Sequence, residues 1–222
     1  MDKFYLTGVI NDCIIQEMCS YIDAKQGEET ITIYIDSPGG DVFAGLRAIK
    51  AIGNSKTTVI AECGVVVASI ASVIALSCPQ VKINKDTFLM VHKPWVEMAG
   101  TAEELLSTAS LLEQAADNII NVVKSKAKDE SVVDDWFSAP ETWFGCQAIL
   151  DNFNDVILDN AMDINTKIIE IGDKMIKKAP KELLTLVAQL KETKEPDQEP
   201  EPKITQVENL LAKEVLAKCK EL

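Results

Sequence analysis

The apolar positions of this chain change period several times, and each change marks an element. Phe4 to Ile10 reads as a short strand. Asn11 or Asp12 can cap a helix running to about Ala24, because Ile14, Ile15, Met18 and Tyr21 then share one face. After a polar turn, Gln26 to Glu29, the run TITIYI (Thr30 to Ile35) alternates β-branched and aromatic residues as a strand does. DSPGGDVFAG follows. Pro38 argues against further strand there, and Gly39-Gly40 supplies positions tolerant of positive φ. A helix is predicted from about Val42 to Ile52, with Val42, Leu46, Ile49 and Ile52 in phase, and a strand over Thr57 to Glu62. Val65 to Leu76, uncharged and rich in Ala and Ser, reads as a buried helix, and TFLMVH (Thr87 to His92) as a strand. This alternation predicts an α/β domain with a mostly parallel sheet. Such folds place their sites at the carboxyl edge of the sheet, where SPGG and Ser69 both fall.

After Pro94 the pattern changes. Thr101 to Ala127 is one long helix in which Leu105, Ala109, Leu112, Ala116, Ile119 and Val123 recur at alternating steps of four and three. That heptad-like seam fits packing on another subunit, or else an ordinary core helix. Asp129 to Phe144 is mixed, with Trp136 and Trp143 close together, and Gln147 to Leu158 resumes an apolar pattern. The expected organisation is a domain over 1–160, a helical extension over 161–194, an acidic proline-rich linker over 195–203 and an amphipathic helix over 204–222.

Composition narrows the function classes. Of 222 residues 47% are hydrophobic, enough for a core, and the net charge of −13 repels phosphate backbones, so no nucleic acid is expected. Six cysteines without a CxxC pair and a single histidine make a structural zinc site unlikely, and suit reduced thiols in a cytoplasm. MDKFYLTGVI lacks the basic start and long apolar core of a signal peptide. Val65 to Leu76 is too short to span a bilayer and follows Glu62, so no membrane partner is expected. SPGG lacks the spacing of a phosphate-binding GxxxxGK[ST] loop, and no cofactor is expected.

The candidate chemistry is nucleophilic. Ser69 stands near the start of the small-residue run, and His92, the one histidine, closes the strand that follows. A serine needs a base, and histidine is the usual one at neutral pH. Taken singly, a serine in an Ala/Val-rich helix more often bonds back to its own helix, as Ser72 and Ser77 are expected to do, and a lone histidine is more often structural. The SPGG turn adds a third feature: backbone N–H groups without side-chain obstruction, suited to an oxyanion.

IDSPGGDVFAG, VVVASIASVIA and LMVHKPW, in that order, resemble the proteolytic subunit of the Clp protease over about residues 1 to 160, and most of all its phage-encoded relatives that act as prohead (capsid maturation) proteases. The resemblance implies a fold of repeated ββα units shared with crotonases, with a long handle helix at 101–127 that builds a homo-oligomer. It implies Ser69 as nucleophile, His92 as general base, and the N–H groups of Gly40 and Ile70 as oxyanion donors. For the acid it offers Glu141, in ETWF, over Asp134, in DDWFSA. The glycine the family places four residues before the serine is here one further back, as Gly64, so the turn into Ser69 is expected to differ locally. The substrate is then protein or peptide, and the further partners are capsid or scaffold proteins, or a Clp ATPase. A non-catalytic scaffold and a crotonase-like enzyme acting on acyl-CoA thioesters are the other readings.

Overall fold

The computed structural model of the protein describes residues 3–159, so the predicted segments 161–194, 195–203 and 204–222 lie outside the described residues. The chain runs β1 (Lys3–Ile10), α1 (Asp12–Ala24), β2 (Thr30–Gly40), α2 (Val42–Asn54), β3 (Thr58–Ala68), α3 (Ile70–Ser77), β4 (Gln80–Ile83), β5 (Phe88–Val91), α4 (Ala102–Lys126), α5 (Val133–Ser138), β6 (Thr142–Phe144), α6 (Cys146–Asn152) and β7 (Val156–Leu158). Strands β1-β2-β3-β4-β7 lie side by side in parallel, while β5 pairs with β3 in parallel and carries β6 antiparallel.

Ile31, Ile33 and Ile35 of β2 are buried at every second position, which points them to the layer formed by the helices. At the centre is α3, whose residues Ile70 to Leu76 are all buried. A helix apolar on every side belongs inside a core. Gly45 lets α2 lie against it, since a Cβ there would collide with the Ile70 side chain.

Two local expectations are corrected. Pro38 does not end the strand, because β2 continues through Gly40. Pairing with β1 steps from Thr7↔Asp36 to Val9↔Gly39, so Pro38 falls in a bulge where its missing N–H breaks no rung. Val65 to Ala68 is strand rather than helix, as the end of β3. Within an unbroken apolar run the strand period is invisible, and pairing decides. Register with β2 steps from Ile35↔Cys63 to Ser37↔Val67, so β3 bulges over Gly64 to Val66. The extra residue before Ser69 is taken up there. Asp36 Oδ1 accepts the Val66 N–H at 3.0 Å, and a Cβ on Gly64 would lie 2.6 Å from the Asp36 side chain.

Beyond that bulge β3 changes neighbour. Ile60 to Glu62 pair with β4, whereas Val66 to Ala68 pair with β5. The fork is filled by two buried polar side chains: Asn84 Nδ2 donates to the Cys63 carbonyl at 3.2 Å and Thr87 Oγ1 to the Gly64 carbonyl at 2.8 Å. Carbonyls that would otherwise be orphaned at the split are thereby satisfied.

The long helix α4 begins with a capping box. Thr101 Oγ1 accepts from Glu104 N, and Glu104 Oε2 accepts from Thr101 N at 2.7 Å, which holds the Glu104 carboxyl below its ordinary pKa. Its predicted seam divides. Ile119 and Val123 are buried in this chain's own core, each contributing about 1.5–3 kcal/mol. Leu105 and Ala109, in the first half, are exposed. At its other end Lys126 is buried, and its Nζ donates to the Pro79 carbonyl at 2.9 Å and Asp155 Oδ2 at 3.0 Å, tying α4 to the sheet edge.

Candidate active site

Ser69 is the hinge between β3 and α3, and its backbone is strained. With φ 58 and ψ −132 it lies in a region that L-residues with a Cβ rarely adopt, at a cost of about 1–3 kcal/mol. The strain persists because both sides are held: Ser69 N–H donates to the Met90 carbonyl at 2.9 Å, and α3 begins at the next residue. The sharp turn projects the hydroxyl out of the sheet edge. Ser69 Oγ lies 2.7 Å from His92 Nε2, just past the end of β5. Both side chains are half-buried, so a substrate can reach them.

The other serines are accounted for. Ser72 Oγ, fully buried, contacts the Val67 and Met90 carbonyls at 2.6 Å each, locking α3 to β3 and β5. Ser77 Oγ donates to the Ile74 carbonyl at 2.7 Å within its own helix. Buried Cys63 and Cys78 are poor nucleophile candidates: burial raises both thiol pKa values, that of Cys78 to about 12.

Gly39 and Gly40 close β2 beside Ser69. Ser37 braces them, its Oγ donating to the Gly8 carbonyl at 2.7 Å and accepting the Gly39 N–H at 3.1 Å. Gly39, part of the glycine pair read from the sequence as an oxyanion turn, is the nearer of the two to Ser69, whereas the resemblance carries over only Gly40 as a donor. Gly40, with φ 152, backs onto the Ile10 backbone, where any Cβ would collide. Ile70 is the first residue of α3, so its N–H has no partner inside the helix. Next to Gly40 opens an apolar hollow of about 230 Å³, with Val42, Phe43, Trp95, Val96, Leu111 and Leu112 in its wall.

The two candidate acids are placed differently. Asp134 lies in the first turn of α5 and pairs with Lys124 of α4 at 2.8 Å. Glu141 immediately precedes β6, and its Oε2 accepts the Trp143 indole N–H at 3.0 Å. Among the described residues neither carboxylate is hydrogen-bonded to His92. Thr142 Oγ1 donates to the Trp136 carbonyl at 2.7 Å, and the rings of Trp136, Phe144 and Phe153 pack within 5.4 Å of one another, which fixes β6 on the core.

Among the described residues no three His, Cys, Asp or Glu side chains converge as metal ligands, and no helix is long and apolar enough to cross a membrane.

Known proteins resemble this chain in sequence. The family model described as Clp protease matches residues 3–137, a span that includes Ser69 and His92 and stops short of Glu141. The ATP-dependent Clp protease proteolytic subunit of Streptococcus suis (strain 98HAH33) is 31% identical over 170 residues, covering 70% of this chain and 83% of its own. The protein of the same name from Streptococcus pneumoniae (strain 70585) is 28% identical over 151 residues, 62% of this chain and 77% of its own. The match takes in the whole strand-and-helix frame from β1 to the handle helix, and the chain belongs to the Clp protease family.

Proposed function

We propose that this chain is a serine endopeptidase in which Ser69 is the nucleophile, His92 the general base and Glu141 the acid. The observation that carries the reading is the 2.7 Å contact between Ser69 Oγ and His92 Nε2 on a strained strand-to-helix turn. His92 takes the Ser69 proton as the oxygen attacks the scissile carbonyl. The N–H groups of Gly40 and Ile70 hold the oxyanion, the α3 N-terminus adding its dipole. His92 then protonates the leaving amine, and water admitted on the same path releases the acyl group. Glu141 moves onto the imidazole to hold its tautomer and balance its charge. The apolar hollow beside Gly40 favours cleavage next to a large apolar side chain.

Two settings fit this chemistry. The ETWF motif and the acidic tail favour a phage prohead protease acting without an ATPase on capsid or scaffold proteins. The relatives' names, ATP-dependent Clp protease proteolytic subunit, favour a chamber fed by a Clp ATPase. Digestion of an unfolded protein with and without a Clp ATPase separates them.

A fluorophosphonate probe tests the chemistry. It labels wild type at Ser69, and neither Ser69→Ala nor His92→Gln is labelled. Absence of labelling in wild type would leave a scaffold that keeps the fold. Glu141→Gln lowers turnover by orders of magnitude, on the order of 10⁴ where the acid is essential. Asp134→Asn breaks only an exposed pair with Lys124 and leaves turnover near wild type. The reverse ranking would reassign the acid.

A further inference from the structure

We infer, resting on the catalytic reading above, that Trp143 is a positioning residue that competes with His92 for the Glu141 carboxylate and so sets how much of the enzyme carries a complete triad. Two observations carry this. The first is register. β6 runs antiparallel to β5 with Met90 opposite Trp143 and Val91 opposite Thr142, and one further step sets His92 opposite Glu141. Residues two apart share a face, so Met90, His92, Trp143 and Glu141 stand on one side of this ribbon. Side chains directly opposite in such a pair stand about 4.5–5.5 Å apart at Cβ, within the reach of a glutamate.

The second observation is where the carboxylate goes. Glu141 Oε2 accepts the Trp143 Nε1–H at 3.0 Å, a bond that runs along β6 rather than across to β5. Indole is only a donor, so this bond has one acceptor to win, and a carboxylate is the strongest acceptor on its face. Three carboxylates on neighbouring elements are engaged elsewhere. Asp41 caps α2 through Ala44 N, Asp36 takes the Val66 N–H and Asp134 pairs with Lys124. Lys93, the next residue after His92, is exposed. While His92 is neutral the indole holds Glu141. Once His92 takes the Ser69 proton, its positive charge draws the carboxylate across. Trp143 therefore makes the third member of the triad conditional on the charge of the second.

The chain has one histidine, so a ¹³C label at histidine Cε1 gives a single signal that titrates with His92. Trp143→Phe keeps an aromatic ring at a position 50% exposed and removes the N–H together with the second ring of the indole. With the carboxylate released to the imidazole, the His92 pKa rises by about half a unit, equivalent to roughly threefold in the protonation equilibrium. Turnover rises by a similar factor with KM unchanged. Adding Glu141→Gln to Trp143→Phe returns both readings to those of Glu141→Gln alone. A His92 titration identical in wild type and Trp143→Phe, or a fall in turnover, overturns the inference. Activity retained in Ser69→Ala would instead overturn the catalytic reading, and the His92 titration would still report whether Trp143 and His92 share the carboxylate.

Discussion

A side-chain carbon on Gly39 would lie 2.6 Å from the Cβ of Ser69 and 2.9 Å from the Ala68 carbonyl oxygen. Ser69 is thus held against bare backbone, and no other residue type fits at Gly39. Gly39 also has φ 96, which a residue with a Cβ adopts only with strain.

Gly39→Ala therefore carries two penalties, a displaced Ser69 and a strained φ. The expected loss is about 1–3 kcal/mol of stability, with turnover down on the order of 100-fold from misplacement of the hydroxyl. Gly53→Ala is the control. It lies within α2, a Cβ there meets nothing within 4 Å, and the change gains about 0.5–1 kcal/mol with turnover unaffected. Thermal melts and peptidase assays on the two variants check both halves. A Gly39→Ala enzyme as active as wild type would remove Gly39 from the site.

On the proposed catalytic reading, Ser69 sets stability against function at one residue. Ser69→Ala loses the hydroxyl and keeps the Cβ in its strained conformation, whereas Ser69→Gly loses both. Both variants are inactive. Ser69→Gly is the more stable of the two by about 1 kcal/mol, because relief of the φ 58 strain outweighs the extra freedom glycine gains in the unfolded chain. Chemical denaturation of the pair measures the difference directly. A Gly variant less stable than the Ala variant would mean that the turn carries no strain.

The elements that were legible in the sequence were those whose period was uninterrupted. TITIYI alternates cleanly and forms β2, and the seam of 101–127 predicts α4 to within one residue at each end. The alternating strand and helix patterns from Phe4 to His92 carried the rest of the α/β frame. β4 was not legible: QVKI is four residues long, and only Val81 and Ile83 face the core. The strand at Val65 to Ala68 was hidden because Val, Ala and Ser runs suit either period until β2 and β5 pair with them. The ambiguity between Glu141 and Asp134 has the same origin. Which acid stands across from His92 depends on the β5–β6 register, a contact between segments some fifty residues apart that no local pattern encodes.

Alkaline stability should be limited in part by the open face of the sheet. Burial pushes the Tyr34 phenol up to about 12, with Asp36 and Glu62 nearby adding to the shift. The folded state then holds the proton more tightly than the unfolded chain, whose tyrosines release theirs near 10. Its contribution is complete below about pH 10 and is lost as pH rises toward about 12. Tyr34→Phe removes that contribution, so its melting temperature falls less steeply than wild type between those limits. Parallel curves for the two proteins would show that Tyr34 is not linked to unfolding.

Assembly is the last expectation, and the divided seam of α4 decides where to test it. Ile119 and Val123 are buried in this chain's own core, so an aspartate at Ile119 would unfold the subunit and reveal nothing about partners. The first half of the helix is different. Leu106 is 72% exposed, Leu105 is exposed beside it, and Met98 on the preceding segment extends the apolar surface. Contiguous apolar patches of that kind usually mark interfaces, and closed symmetric assembly is the common way to cover them. The catalytic reading ties activity to the same helix, since α4 leads through α5 to Glu141. Leu105→Asp with Leu106→Asp, both outside the apolar hollow beside Gly40, should therefore leave a folded subunit with an unchanged circular-dichroism spectrum. Light scattering should give a smaller species, and peptidase activity should fall in parallel with size. A wild-type chain that runs as an active monomer at micromolar concentration would end both the interface and its coupling to the site.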